Sequence, residues 1–232
     1  MKNLKTLPAE ICQMLNLERL ITWKTQLENL PKEIGQLKSL ERLDLSVNRL
    51  TSLPAEIGQL KSLSELHLIG NNLTSLPSEI GQLSNLKYLH LRRNRLTSLP
   101  SEIGQLSNLK YLYVGANQLE TLPKEIRKLK SLEALDLSEN YELTSLPAEI
   151  GRLRYLQDLY MVYIGNGSIL EPGKIKVPAS LKKFLTRRIG RYPEEFEFIP
   201  EKVINPKTNR YISVGKSTYD KLVDEGLIWE PW

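Results

Sequence analysis

Leucine and isoleucine fall at fixed places along most of this chain. Leu43-Asp44-Leu45 and Leu89-His90-Leu91 alternate apolar and polar residues, the period of a short strand with one face inward. A segment of the form Leu-Pro-x-Glu-Ile-Gly-x-Leu accompanies each such strand. In it, isoleucine and leucine stand three apart (Ile57 and Leu60, Ile80 and Leu83), the spacing of a short helical or 3₁₀ turn with one buried side. The proline reads as the first position of that turn. Residues 76–89 recur without change 23 residues later, from Leu99. The same step finds Leu-Pro at Leu7, Leu30, Leu53 and Leu122, and one step of 24 residues reaches Leu146, so seven copies of the unit cover about two-thirds of the chain.

A fixed period of this length, with Leu-x-x-Leu-x-Leu-x-x-Asn inside it, marks a solenoid whose repeats bury their apolar faces only against one another. The pattern resembles the leucine-rich-repeat family, and in particular its intracellular 23-residue class carrying Leu-Pro-x-Glu-Ile-Gly-x-Leu, as in Ras-group and scribble-like scaffolds and bacterial and large-DNA-virus homologues. The resemblance implies an α/β solenoid: a right-handed horseshoe with a parallel concave β-sheet and short convex helices or 3₁₀ turns. A small C-terminal α+β cap completes the expected architecture. The expected organisation is a solenoid of about seven repeats over 1–164, a degenerate last repeat and cap over 165–190, and a small tail module over 191–232.

Asn48, Asn71, Asn94, Asn117 and Asn140 recur at one position, with Thr25 in their place in the first repeat. An inward amide there can donate to and accept from loop backbone that would otherwise be buried unpaired, so these residues read as a structural ladder. Gly35, Gly58, Gly81 and Gly104 mark another constant position, held in the first repeat by Cys12. The sixth repeat has one extra residue near Tyr141-Glu142, expected to bulge the loop after its strand. In the seventh, Ile164 replaces the asparagine, residues 165–168 open a loop, and 177–185 read as a last Leu-Pro turn.

The tail changes composition. Arg210–Val214 reads as a strand, and Ser217–Glu225 as a helix closed by Gly226. Asn-Pro-Lys-Thr-Asn-Arg-Tyr-Ile from Asn205, followed by Gly215, Tyr219 and Leu222, resembles the two-cysteine adaptor module of large DNA viruses, which implies protein contacts; both defining cysteines are absent. Gly215-Lys216-Ser217-Thr218 spells the end of a phosphate-binding loop, but Arg210 stands where the motif requires its first glycine.

The net charge of +5 is mildly basic, compatible with an acidic partner without demanding nucleic acid. One cysteine cannot close a disulfide-bonded cap. The first residues lack the apolar core of a signal peptide, and no run approaches the length of a membrane span. An intracellular location is therefore expected, and Asn166-Gly167-Ser168 is not expected to be glycosylated. No cofactor is indicated.

Parallel stacking brings equivalent positions of adjacent repeats to about 4.8 Å. The expected outward column Ile21, Asp44, His67, His90, Tyr113, Asp136, Tyr160 includes Asp44, His67 and His90, which could clasp a metal but show no fourth ligand. The helix segments barely change between repeats while the strand positions vary in charge and size. His67, Lys87, Tyr88, His90, Arg92, Arg93, Lys110, Tyr111 and Tyr113 form the candidate partner-binding patch of the concave face, since tyrosine and arginine favour interface anchoring. Glu65 and Asp44 flank it on one side; Glu133, Asp136, Glu139 and Asp158 flank it on the other. A second basic cluster, Lys182, Lys183, Arg187, Arg188 and Arg191, reads as a solvated face of the cap. No nucleophile–base–acid set is present, so the expectation is a non-catalytic protein-interaction scaffold of unspecified oligomeric state. Nucleic-acid or anion binding through the basic residues is the alternative.

Overall fold

The computed structural model describes residues 5–160 and the strands at 202–205 and 210–213. The chain divides into two compact units, Met1–Leu185 and Thr186–Trp232. In the first, seven three-residue strands lie side by side in sequence order. They are β1 (Arg19–Ile21), β2 (Arg42–Asp44), β3 (Glu65–His67), β4 (Tyr88–His90), β5 (Tyr111–Tyr113), β6 (Ala134–Asp136) and β7 (Asp158–Tyr160). All pairs are parallel and in one register, Leu43 beside Leu66 and Leu66 beside Leu89. A constant period has this consequence: each residue's neighbour is its own counterpart one repeat away.

Each crossover between strands contains a five-residue 3₁₀ turn, such as Ala55–Gln59 or Ser78–Gln82. The proline stands one residue earlier than the sequence suggested. Pro54 is the cap, extended at φ −68° and ψ 149°, and its carbonyl accepts the Ile57 N–H at 3.0 Å. A residue without an N–H costs nothing there, because a cap needs only its carbonyl. Ile57, Leu60, Leu63, Leu66 and Leu68 are wholly buried, so one repeat supplies a full apolar layer. Each such side chain is worth roughly 1.5–3 kcal/mol only once the neighbouring layer covers it.

The turns pack closely. A Cβ on Gly81 would lie 2.5 Å from the backbone oxygen of Glu102, so the next repeat leaves no room for a side chain at Gly81. Cys12, in the first repeat, is buried at the equivalent place. Burial, with Glu33 nearby, pushes its thiol above the ordinary range.

On the other flank of the sheet, each ladder asparagine ties two repeats together. Asn94 Nδ2 donates to Leu91 O at 3.0 Å in its own repeat and to Leu68 O at 2.9 Å in the preceding one. Its Oδ1 accepts the Leu73 N–H at 3.0 Å. Asn48, Asn71, Asn117 and Asn140 repeat this arrangement. Thr25 opens the ladder with a hydroxyl 2.9 Å from Thr22 O and an N–H bonded to Asn48 Oδ1. The residue before each ladder position turns left-handed: Lys24, Val47, Gly70, Arg93, Ala116 and Glu139 have φ between 51° and 63°. That bend costs a non-glycine residue on the order of 1 kcal/mol, and the amide it turns inward makes three hydrogen bonds. Where the sixth repeat carries its extra residue, Tyr141 and Glu142 form an outward turn and Leu143 N–H bonds Asn140 O at 3.2 Å.

In the second unit, β8 (Lys202–Asn205) and β9 (Arg210–Ser213) pair antiparallel, Asn205 opposite Arg210. The strand expected from Arg210 is β9; β8 was not foreseen. The expected helix at 217–225, the Leu-Pro turn at 177–185, the loop at 165–168, the basic cluster at 182–191 and the Gly215–Thr218 stretch lie outside the described residues. No helix among the described residues is long and apolar enough to cross a membrane.

Asn94→Ala is expected to lower unfolding stability in urea by about 2–3 kcal/mol, since it orphans the buried Leu73 N–H and removes two donors. Asn94→Asp should cost at least as much at neutral pH, because a carboxylate accepts that N–H but repels the Leu68 and Leu91 carbonyls. A cost under about 0.5 kcal/mol for both would show that the ladder holds nothing.

Candidate functional site

The side chains singled out in the sequence meet on the exposed face of β3, β4 and β5. Tyr88 lies in register with Tyr111, and their rings stack with centroids 4.4 Å apart and planes 13° from parallel. One column over, His90 lies beside Tyr113 at 4.9 Å and 51°, with His67 6.3 Å beyond it. The two columns are joined by Tyr111 and Tyr113 at 6.4 Å. Five rings thus floor two and a half repeats. They do so because strand register stacks like positions, and these repeats place aromatic residues at both outward positions of the strand. Tyr113 itself is only 8% exposed, so it supports the floor more than it presents area.

Cations rim this floor. Lys110 Nζ bonds Glu133 Oε1 at 2.8 Å, and Tyr111 donates its hydroxyl to Glu133 Oε2 at 3.1 Å. The Lys110 bond holds Glu133 below the usual carboxylate range against the opposing effect of burial, and Glu133 raises Lys110 in turn. Burial, then Tyr88, pushes the Tyr111 phenol well above its ordinary value, so it stays a donor. On the opposite rim, Arg92 pairs with Glu139, two repeats onward. Gly115 is the counterpart of Arg92 in the repeat between them, and a Cβ there would meet Asp136 Oδ2 at 2.7 Å. Asp136 is buried, which raises its carboxyl, while the Ser138 N–H and Arg92 pull it back down. Lys87 is exposed, and neither it nor Arg93 has an acidic partner among the described residues.

The proposed metal clasp does not assemble. Asp44 Oδ1 accepts the Ser46 N–H at 3.0 Å, and Arg42 holds Glu65 at 2.8 Å. His67 Nε2 faces the same Glu65 oxygen at 3.3 Å. Among the described residues, no three His, Cys, Asp or Glu side chains are grouped to hold a metal ion. Sequence reasoning placed Glu133 and Glu139 beside the patch without pairing them to it. It placed Ile21 in the outward column without counting it in the patch, and did not count Trp23 or Val47; all three expose apolar area at the first end of the same face. Their signal was in the sequence: apolar residues at outward positions.

His90 supplies a pH dependence. Burial first, then His67 and Arg92, lowers its pKa from 6.5 to about 3. Between those values the unfolded chain takes up a proton that the folded chain refuses, so stability falls as pH falls. The loss is at most about 1.4 kcal/mol per pH unit for one proton. Urea midpoints across pH 4–7 should fall more steeply for the native chain than for His90→Asn; parallel curves would contradict the burial of a neutral imidazole.

The profile of the leucine rich repeat family matches residues 16–73, 61–119, 84–141 and 107–163. Among solved structures, a leucine-rich-repeat protein of Leptospira interrogans is 41% identical, with a TM-score of 0.52 over 70% of this chain and 53% of that one. The plant peptide hormone receptor RGFR1, solved in complex with RGF2, is 30% identical, with a TM-score of 0.63 over 68% of this chain and 26% of that one. An internalin of Listeria monocytogenes is 22% identical, a likeness of fold alone, with a TM-score of 0.59 over 76% of this chain and 48% of that one. The chain therefore spans about half the length of the Leptospira protein and about a quarter of the plant receptor. No curated protein matches it.

Proposed function

The chain belongs to the leucine-rich-repeat family, and from that premise we propose that it is a non-catalytic scaffold whose exposed strand face, the concave face expected of such a horseshoe, binds a protein partner. The observation that carries this reading is the five-ring floor built by His67, Tyr88, His90, Tyr111 and Tyr113 on consecutive strands. Rigid aromatic area rimmed by arginine and lysine is the chemistry of an interface anchor. The contrast between constant turns and variable strand positions supports it, since the turns, buried leucines and ladder asparagines stack the repeats and the outward strand residues do not. Family members generally mediate protein–protein contacts, and the plant receptor above is a receptor for a peptide hormone.

The perturbed groups fit this reading without a reaction. Glu133 and Lys110 are accounted for chiefly by each other, Tyr111 by burial and Tyr88, and His90 and Asp136 by burial. Acids on either side of the cations, Glu65 in repeat three and Glu133 and Glu139 in repeat six, disfavour a long polyanion such as nucleic acid. Within the family, the Leu-Pro-x-Glu-Ile-Gly-x-Leu spelling of the turns supports membership of the 23-residue intracellular class, and the buried Cys12 fits a reducing compartment. The hairpin of β8 and β9, which brackets the Asn205-Pro206 stretch, is compatible with a small adaptor module of the kind found in large DNA viruses.

Arg92→Glu combined with Tyr111→Ala, with circular dichroism unchanged, is expected to weaken partner capture at least tenfold, the loss of one central anchor and one charge pair. Equal capture by the native and variant chains would move the binding surface elsewhere.

A further inference from the structure

The face positions of repeats four and five, residues 87–93 and 110–116, contain Lys87, Arg92, Arg93 and Lys110 and no aspartate or glutamate. Two of these cations carry intramolecular carboxylates, and both carboxylates come from repeat six. Glu133 bonds Lys110 and Tyr111, and Glu139 pairs with Arg92 from two repeats away. The solenoid does not need acids at either place. The positions equivalent to Glu133 hold Glu18, Glu41, Ser64, Lys87, Lys110 and Gln157, and those equivalent to Glu139 include Val47, Gly70 and Ala116. Both glutamates remain about one-third exposed, where an incoming group can reach them.

We infer that repeats four and five bind an acidic segment of a protein partner, and that Glu133 and Glu139 occupy its cation sites until the partner's carboxylates displace them. This rests on the reading of that face as a binding surface and names the partner's chemistry. The stacked Tyr88 and Tyr111 rings, lying between Lys87 and Lys110 on one rim and Arg92 and Arg93 on the other, receive an aromatic or otherwise planar side chain between two acids. Displacement exchanges one carboxylate for another at each cation, so the exposed resident pairs are weak competitors and filter out ligands lacking acids. Arg92 then leaves Glu139 and pairs with the incoming carboxylate.

The test uses a random copolymer of glutamate and tyrosine as probe, labelled and titrated with the full chain at low salt. Glu133→Gln with Glu139→Gln is expected to bind it about fivefold more tightly than the native chain, the effect of removing two weak pairs. Lys87→Glu with Arg93→Glu should weaken binding at least tenfold, and polylysine should gain nothing from the double glutamine variant. Equal affinity of the native chain and the double glutamine variant overturns the inference. So does an equal gain for single-stranded DNA, which would mark unspecific attraction of anions. If the double glutamine variant gains nothing while Arg92→Glu with Tyr111→Ala still loses the protein partner, the binding face stands and the acidic ligand falls. If neither variant changes anything, both fall.

Discussion

The stacking of the repeats depends on the asparagine amide that bonds across each repeat boundary. A left-handed bend, otherwise unfavourable for valine, arginine or glutamate, turns that amide inward. There it satisfies an N–H from the preceding repeat and a carbonyl from each of two repeats. The cost of the bend and the need of the buried backbone are thus met by the same side chain. On the opposite flank, glycine lets the next turn approach until a Cβ would overlap its backbone oxygen. With both flanks fixed, the strands between them keep one register whatever their outward residues are.

That separation allows the outward positions to carry function. The strand's central leucine must be inward and buried, but its neighbours are constrained only by the residue beside them in the next repeat. Here those neighbours build a graded surface: exposed apolar residues at Ile21, Trp23 and Val47, then ion pairs around Glu65, then the ring floor, then the acids of repeat six. Of the charge pairs across the boundary between floor and acids, Lys110 with Glu133 joins adjacent repeats, and Arg92 with Glu139 joins repeats that are not neighbours in the sheet.

The repeat boundaries, buried leucines, glycines and ladder asparagines were all legible in the sequence, because a fixed period writes each structural demand several times. The stacking of Tyr88 on Tyr111 was legible for the same reason: a parallel register puts position i beside i + 23. The Arg92–Glu139 pair was not, since it is decided by side-chain reach past an intervening repeat, which has no period. Tyr113 and Asp136 read as outward residues yet lie nearly buried, because bulky neighbours on the same face cover them. The left-handed bend was also invisible, its occupant changing from valine to glycine to arginine with no common residue type. The proline's place at the cap differs by one position from the expectation, which is the usual uncertainty of where a turn begins.

Native-state amide hydrogen exchange tests most directly whether scaffold and face are separable. The N–H groups of Leu50, Leu73 and Leu96, which bond the ladder asparagines, would be followed in the native chain and in Arg92→Glu with Tyr111→Ala. The account predicts slow exchange at these three sites, unchanged by the face substitutions. Rapid exchange, or protection lost when only the face is altered, would show that the ladder does not hold the repeats together independently of what they display.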